Sequence, residues 1–340
     1  MCAKNRAFAL PADFEERWKI NAAPTELEVG TPETSLERTD NSIERYNVDA
    51  IVADGCFLDR SKIENALTLL ERKKNLVLQG PPGTGKTWLA KRLGYALIGE
   101  KDPSRLLAVQ FQPSLSYEDF VRGCRPNGSG GLQLADGVFL EAVASANDDP
   151  KRPYVLVIEE INRGNPAQIL GELLTLLEAD KRKESEALRL AYPRTLTERV
   201  YVPPNLYVVG TMNLADRSLA LVDLALRRRF AFVTLKPNFE TLWMQWCQAL
   251  GAPDGLLERV SQAVVALNRS IEEDKSLGPQ FGVGHSFLTP PDKLAGASLE
   301  VWKSWFSDVI NTEIEPLLLE YWYDNKDRAK KQIARLNGSL

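Results

Sequence analysis

The sequence predicts an α/β fold, in which a parallel sheet is flanked by helices and followed by a smaller all-helical subdomain. Short apolar runs alternate with helical patterns between Asn75 and Leu235, which is typical of a parallel sheet covered on both faces. One of these runs leads directly into a glycine-rich loop. Beyond Pro237 the apolar residues recur at helical spacing. With 340 residues, the chain is long enough for one large domain and a smaller one.

The first predicted elements surround the glycine-rich loop. A helix over Leu58–Leu70, with Asp59 or Ser61 as its N-cap, precedes the apolar strand Asn75–Gln79, and a helix over Trp88–Leu97 comes after the loop. The loop fits the pattern G-x-x-x-x-G-K-[ST] and consists of Gly80, Pro81, Pro82, Gly83, Thr84, Gly85, Lys86 and Thr87.

Strand, loop and helix in this order indicate a phosphate-binding loop. Glycines let successive backbone N–H groups converge on an anion, and the helix adds the positive end of its dipole. We expect Lys86 to reach the outer phosphates of a nucleotide and the hydroxyl of Thr87 to ligate Mg²⁺.

The next predicted elements lead to a central strand. Arg105–Phe111 is a strand candidate, and a small hairpin is predicted from Leu132–Leu134 and Gly137–Phe139. A helix is expected to follow as far as Asn147. The continuous apolar run Tyr154–Ile158 then predicts a buried strand of a parallel sheet.

Two acids, Glu159 and Glu160, follow this strand directly. We expect Glu159 to organise Mg²⁺ and its waters, and Glu160 to polarise the water that attacks the nucleotide. A solvated strand end would show the same two residues, but the phosphate-binding loop upstream favours the catalytic interpretation. Glu159 stands where Asp is usual, which moves the carboxylate by about a bond length and a half.

A long helix, Pro166–Ala179, and a charged surface loop, Lys181–Arg189, are predicted before the next strand, Leu206–Thr211. Asn213 lies at the end of that strand. A neutral amide there holds the attacking water or the γ-phosphate without adding charge, so Asn213 is a candidate catalytic residue.

Asp216 and Arg217 come next and are candidate nucleotide-binding residues. A short helix is predicted over Leu219–Leu226 and a last strand over Phe230–Leu235. Three consecutive arginines lie between them: Arg227, Arg228 and Arg229. They are typical of a solvated helix C-terminus. The interpretation we favour is an arginine finger that reaches the nucleotide of a neighbouring subunit.

The C-terminal subdomain is predicted to contain helices over Phe239–Leu250, Leu256–Ile271 and Leu299–Tyr323. Five tryptophans are expected to act as core anchors there: Trp243, Trp246, Trp302, Trp305 and Trp322. His285, the one histidine of the chain, lies between glycines in this subdomain. A structural role and a contact with bound nucleotide both remain open for it.

The composition excludes several other classes of protein. Hydrophobic residues make up 44% and charged residues 26% of the chain, as in ordinary globular proteins. The formal charge of −4 argues against a broad nucleic-acid-binding surface. The cysteines form no C-x-x-C pair, so we expect a reduced cytoplasmic protein with free thiols and no zinc site. The N-terminal region has no apolar run long enough for a signal peptide, and no run of the sequence approaches a membrane span.

The order of these motifs resembles an AAA+ nucleoside triphosphatase. More closely, the chain resembles the McrB family, the motor subunits of McrBC modification-dependent restriction systems. The resemblance covers about residues 50 to 325, and its most specific part is the M-N-x-x-D-R-S element that begins at Met212. The other segments that carry it are Val109–Phe111, Ser116–Phe120, Arg125–Gly128, Glu160–Arg163, Leu226–Phe230 and Gly284–Ser286.

The resemblance implies an AAA+ large domain at residues 46–236 and a helical lid at 237–340, with a polar extension at 1–45. It further implies a hexameric ring, Mg²⁺, and GTP as the preferred nucleotide, with ATP as the alternative. The implied partner is a McrC-like nuclease subunit that stimulates hydrolysis, and DNA is expected to be reached through partners. The polar extension stands where the family carries a domain that binds modified DNA.

Two interpretations of function remain open at this point. In the first, the chain is a GTPase ring that drives a nuclease partner on DNA. In the second, it is a MoxR-like or dynein-related ATPase that remodels proteins without touching DNA. The signature element at Met212 favours the first interpretation. The polar N-terminal extension keeps the second one open.

Overall fold

A computed structural model describes residues 44–128, 130–216 and 224–340. The predicted N-terminal extension therefore lies outside the described residues except for positions 44 and 45, and so does the candidate Arg217. The strands are β1 (Asn75–Gly80), β2 (Leu106–Gln110), β3 (Arg122–Pro126), β4 (Leu132–Asp136), β5 (Tyr154–Glu159), β6 (Leu206–Asn213) and β7 (Ala231–Thr234).

Helices cover both faces of the sheet and make up most of the C-terminal subdomain. In the large domain they are α1 (Val48–Ala53), α2 (Arg60–Lys73), α3 (Lys86–Ile98), α4 (Tyr117–Phe120), α5 (Val138–Asp148), α6 (Pro166–Leu170), α7 (Leu173–Leu176) and α8 (Leu224–Arg229). In the lid they are α9 (Thr241–Ala249), α10 (Asp254–Glu272), α11 (Leu299–Val309), α12 (Glu315–Tyr321) and α13 (Lys326–Asn337). Within the described ranges, no helix combines the length and the apolar character needed to cross a membrane.

Five parallel strands form the main sheet in the order β2-β5-β6-β1-β7. Alternate side chains of a strand point to opposite faces, and both faces are buried here. On one face, Leu76 and Leu78 pack in a core that includes Leu93 of α3. On the other face, Val77 packs in a core that includes Phe139 of α5. The α/β fold predicted from the alternating pattern is confirmed.

The register of the sheet brings the predicted site residues to one edge. Gly80 at the end of β1 lies opposite Asn213 at the end of β6. β5, which ends at Glu159, is the other neighbour of β6. Ligands of open α/β sheets bind at the carboxyl ends of such strands.

A separate hydrophobic core holds the lid together. Trp243, Trp302 and Trp322 are almost fully buried in it, and Trp246 and Trp305 pack against it half-buried, as expected for core anchors. The predicted helix over Leu299–Tyr323 is interrupted by a π-helical turn that separates α11 from α12. Helix α13 follows, and the sequence patterns had not predicted it.

The predicted hairpin is wrong. β3 pairs antiparallel with β4, and the turn lies near Asn127, whose N–H donates to the carbonyl of Gly131 at 2.8 Å. Gly137 is instead the N-cap of α5. A side chain at Gly137 would lie 2.6 Å from the carbonyl oxygen of Phe120, so the glycine permits a close backbone approach and does not form a turn.

The single helix predicted over Pro166–Ala179 is also wrong, because α6 ends and α7 begins around Gly171. Gly171 adopts a φ of 52°, and a Cβ there would lie 3.0 Å from the ring of Tyr117. The regular spacing of the apolar residues conceals this break. The helix predicted over Leu219–Leu226 is observed as α8, which lies later in the chain and includes the three arginines. Its predicted positions before residue 224 lie outside the described residues.

One residue of the predicted charged surface loop is buried. Arg182 is 3% exposed, and its guanidinium donates to the carbonyls of Leu177 and Leu206 and to Oδ1 of Asn75. Burial lowers the pKa of Arg182 to about 9. The guanidinium thus ties the beginnings of β1 and β6 to the end of α7, a structural role that its charged neighbours in sequence do not reveal.

Candidate functional site

The phosphate-binding loop connects β1 to α3, as the sequence predicted. Gly80 adopts a φ of 154°, and a Cβ at this position would lie 2.3 Å from the carbonyl oxygen of Leu235. Gly83 and Gly85 adopt φ values of 73° and 74°, in the left-handed region that glycine enters at little cost. The loop conformation therefore depends on all three glycines.

Lys86, the first residue of α3, is buried and turns back over the loop. Its Nζ donates to the carbonyl oxygens of Pro81 at 2.7 Å and Gly80 at 3.2 Å. Burial lowers the pKa of Lys86 to about 8, although the charges of Glu160 and Asp216 act in the opposite direction. A cation held among carbonyl groups in this way gains strongly from a phosphate close by.

Glu160 begins a turn immediately after β5. Its φ of 52° is costly for a residue with a side chain, and such strain is found preferentially at functional sites. The backbone N–H of Glu160 donates to Oγ1 of Thr211, and its Oε1 accepts from Nδ2 of Asn213 at 2.6 Å. Burial raises the pKa of the Glu160 carboxyl, with Arg163 and Lys86 opposing the shift.

The other oxygens of this pair lack hydrogen-bond partners among the described residues. Oε2 of Glu160 and Oδ1 of Asn213 are buried and unsatisfied. Buried polar atoms normally form hydrogen bonds, so these two oxygens indicate a binding site for a polar ligand, such as water or a ligand of a metal ion. Thr87 on the first turn of α3 and Glu159 at the end of β5 add oxygen groups of the kind that Mg²⁺ prefers. The residues present therefore fit a Mg²⁺ ion that is shared with nucleotide phosphates.

Glu159 has a partner that the sequence did not indicate. Its Oε1 lies 2.9 Å from Nζ of Lys91, which is one helical turn beyond Thr87 on α3. The candidate metal organiser thus forms an ion pair with the helix that follows the phosphate-binding loop.

Arg163 is a second residue that sequence reasoning did not include among the site residues. Its guanidinium lies 3.6 Å from Oε2 of Glu160, which is too long for a hydrogen bond, and 3.3 Å from Oδ2 of Asp216. Asp216, a predicted nucleotide-binding residue, is thereby linked through Arg163 to the catalytic candidate Glu160. The sequence signal available for this contact was that Arg163 follows Glu160 by three residues, a spacing at which two oppositely charged side chains can pair.

The three arginines lie within α8 and have different surroundings. Arg229 is 13% exposed in its side chain, donates to the carbonyl of Ala225, and pairs with Oε1 of Glu178 at 2.9 Å. Arg227 and Arg228 are exposed, and the guanidinium of Arg227 lies 5.5 Å from the ring centroid of Phe232. Arg229 is therefore held by contacts within its own chain, whereas the side chains of Arg227 and Arg228 are exposed to solvent.

His285 lies against the phosphate-binding loop. It accepts a hydrogen bond at Nδ1 from the backbone N–H of Asn238, and its ring packs edge-to-face on Phe57. Burial lowers the pKa of His285 to about 4, so the imidazole is neutral and carries its proton on Nε2. Together with Gly85 and Trp88 it lines a pocket of about 200 Å³ beside the loop.

The lid is hydrogen-bonded to the backbone of the loop. The N–H of Gly284 donates to the carbonyl of Pro82 at 3.1 Å, and the N–H of Ser286 donates to the carbonyl of Gly83 at 2.9 Å. A Cβ at Gly284 would lie 2.1 Å from the carbonyl atoms of Gly83, so the contact requires a glycine. Neither Gly284 nor this contact was predicted from the sequence as part of the site.

The chain is similar to known proteins in both its sheet domain and its helical subdomain. The AAA domain family of the dynein-related subfamily matches residues 75–230, and the McrB alpha-helical lid domain matches residues 259–330. The EcoKMcrB subunit of the type IV methyl-directed restriction enzyme from Escherichia coli K12 is 41% identical over 291 residues, and the match covers 83% of this chain and 61% of that protein. The YdiS component of the type II restriction enzyme BsuMI from Bacillus subtilis 168 is 25% identical over 253 residues, and the match covers 61% of this chain and 72% of that protein.

The chain thus spans 61% of the length of its E. coli relative. The two matched families cover the sheet domain with its phosphate-binding loop and most of the helical subdomain. These are the two parts whose contact at Pro82 and Gly284 was described above.

Proposed function

The chain is an McrB-like AAA+ protein with the machinery of an NTP-hydrolysing enzyme, and from this premise we propose that it is a Mg²⁺-dependent nucleoside triphosphatase. In the proposed reaction, the glycine-rich loop and Lys86 bind the phosphates, and Thr87 and Glu159 hold Mg²⁺ and its waters. Mg²⁺ would neutralise charge on the phosphates. Glu160 polarises the attacking water, and Asn213 orients it.

The observation that carries this proposal is the pairing of Glu160 with Asn213 beside the loop. The hydrogen bond at 2.6 Å fixes one oxygen of the carboxylate and leaves Oε2 buried, with the guanidinium of Arg163 at 3.6 Å but no hydrogen-bond partner among the described residues. The raised pKa of the carboxyl brings it closer to the range in which a general base accepts a proton near neutral pH. A purely structural glutamate would satisfy both oxygens.

We further propose that GTP is the preferred nucleotide, with ATP as the alternative. The resemblance to McrB proteins supports this preference. The pocket lined by His285, Gly85 and Trp88 is the candidate site for the base, because it adjoins the loop on the side of the lid. The neutral Nε2–H of His285 offers the pocket a hydrogen-bond donor.

The proposed assembly is a homo-oligomeric ring, hexameric by resemblance, in which Arg227 or Arg228 acts on the nucleotide of the next subunit. A McrC-like nuclease subunit is the proposed partner, and DNA would be reached through such partners. The proposed setting is a cytoplasmic restriction system that defends against phage. The names of the E. coli and B. subtilis relatives support the part of this assignment that concerns a restriction system.

A second candidate function is that of an ATPase that remodels proteins and acts on no DNA, in the manner of MoxR-like or dynein-related proteins. The match of residues 75–230 to the dynein-related subfamily favours this alternative. Side-by-side measurement of GTP and ATP hydrolysis, with and without the product of the neighbouring gene, distinguishes the two. GTP hydrolysis stimulated by a nuclease partner supports the restriction motor, and ATP hydrolysis with no response to that partner supports the alternative.

Lys86→Ala tests the proposal at its base. The phosphates would lose their main protein counter-charge, so we expect binding of a fluorescent nucleotide analogue to be lost. Unchanged nucleotide affinity in this variant would refute the assignment.

DNA binding by the chain alone is expected to be weak and strongly dependent on salt, and tight, methylation-dependent binding would contradict that expectation.

A further inference from the structure

Lys91 and Glu159 meet because α3 packs directly across β5. Thr87, Lys91 and Gly94 lie four and three residues apart, which places them on one stripe of the helix. A Cβ at Gly94 would lie 3.2 Å from Cγ1 of Val155 on β5, so the helix approaches the strand closely at this point. Val155 and Glu159 are four residues apart on the strand and therefore share the face that α3 covers.

The ion pair is formed by the middle residue of this stripe and is partly exposed to solvent. Nζ of Lys91 lies 2.9 Å from Oε1 of Glu159, and the side chains are 41% and 23% exposed. Most surface ion pairs contribute little to stability, so stability alone gives a weak reason for this contact. The ion pair also lies close to the proposed metal site, because Lys91 is one helical turn beyond Thr87, the proposed Mg²⁺ ligand.

The contact also depends on the length of the Glu159 side chain. An aspartate at this position would hold its carboxylate about a bond length and a half nearer the strand. Nζ of Lys91 would then lie beyond hydrogen-bond distance unless the helix moved. The glutamate therefore allows a pairing that a shorter acid would not form.

We propose that Lys91 is a positioning residue that holds Oε1 of Glu159 and thereby orients the carboxylate that, together with Thr87, would hold Mg²⁺. This inference rests on the proposed Mg²⁺-dependent nucleotide binding. A carboxylate that a second group orients binds a metal shell more effectively than one free to rotate. Loss of such an outer partner typically costs 10- to 100-fold in metal affinity or activity.

The test is a Mg²⁺ titration of the binding of a fluorescent guanine nucleotide to the full chain. We expect Lys91→Met to raise the Mg²⁺ concentration for half-maximal binding by about tenfold, while affinity measured in EDTA stays at the wild-type value. Lys91→Arg keeps a cation at the helix and should restore the wild-type titration. Lys62→Met, which removes an exposed ion pair between Lys62 on α2 and the N-cap residue Asp59, is the matched control and should leave the titration unchanged.

A double-mutant cycle with Glu159→Asp tests whether Lys91 acts by positioning Glu159 or only stabilises the fold. Because the shorter acid does not reach Lys91, we expect Lys91→Met to have no further effect on the Mg²⁺ titration in that background. An unchanged titration for Lys91→Met would overturn the inference, and so would an equal penalty with and without Glu159→Asp. If instead Lys86→Ala binds nucleotide as wild type does, the proposed function itself fails, so the two failures are distinguishable.

Discussion

Asn213 donates a hydrogen bond of 2.6 Å to Glu160, which joins the residue after β5 to the last residue of β6. Glu160 leaves the strand with a left-handed backbone, and its N–H is held by the hydroxyl of Thr211. The acid is therefore fixed by one side-chain and one backbone contact to the neighbouring strand. Its orientation does not depend on a flexible loop.

Glu160→Gln is expected to retain nucleotide binding and to lower the hydrolysis rate by about 10²- to 10⁴-fold, because the amide is a poor proton acceptor. Single-turnover hydrolysis, compared with binding of a fluorescent nucleotide, measures the two effects separately. Glu159→Gln is the informative comparison. If that variant abolished hydrolysis while Glu160→Gln did not, the roles assigned to the two acids would be reversed.

In the folded protein we expect His285 to stay neutral at pH values well below about 6.5, the usual pKa of a histidine side chain. Its folded pKa of about 4 means that the unfolded chain binds the extra proton first. Stability should therefore be lost as pH falls from 6.5 towards 4, and the contribution is fully present above that window. Since the chain has one histidine, its NMR resonance reports the titration directly.

The matched variant for this prediction is His285→Asn, whose amide oxygen can still accept from the N–H of Asn238. Its stability should fall less steeply between pH 6.5 and pH 4 than that of the wild type, as measured by denaturant unfolding. A resonance that titrates near pH 6.5 in the folded protein would contradict the prediction.

Gly284→Ala should separate the lid from the phosphate-binding loop. A Cβ 2.1 Å from the carbonyl of Gly83 forces backbone movement, which typically costs 1–3 kcal/mol. We expect a lower melting temperature and weaker nucleotide binding. Gly128→Ala, at a position where a Cβ meets no atom within 4 Å, is the control and should match the wild type. Equal behaviour of the two variants would show that the contact has no energetic importance.

The exposed arginines are expected to act between subunits. Arg227→Ala or Arg228→Ala should be inactive alone, because the γ-phosphate loses a cation supplied by a neighbour, a loss worth about 10³- to 10⁵-fold in rate. Mixing that variant with Lys86→Ala should restore some activity, since mixed interfaces pair an intact loop with an intact arginine. No recovery in assembled mixed rings would count against the finger.

Arg229→Ala provides a contrast in the same helix. It removes the pairing with Glu178, so we expect reduced stability, and activity loss that mixing does not rescue. Rescue of this variant and not of its two neighbours would move the finger assignment to Arg229.

The sequence was informative where a local pattern has one structural solution. The loop from Gly80 to Thr87 and the apolar run before Glu159 each correspond to elements at the predicted places. Prediction failed where the same residue type is compatible with two different structural roles. Gly137 looked like a turn residue but permits close packing, and Arg182 looked like a surface charge but bonds buried carbonyls. Contacts between distant segments, such as that of Arg163 with Asp216, leave no periodic signal.

The two hydrogen bonds from Gly284 and Ser286 to the loop carbonyls have a consequence for control of the enzyme. They make the position of the lid and the conformation of the loop one linked equilibrium. A partner that binds the lid in this arrangement raises the affinity of the loop for nucleotide. Bound nucleotide then raises the affinity of the lid for that partner by the same factor. A neighbouring subunit that touches the lid alone would thus set nucleotide occupancy from a distance, without any atom in the phosphate site.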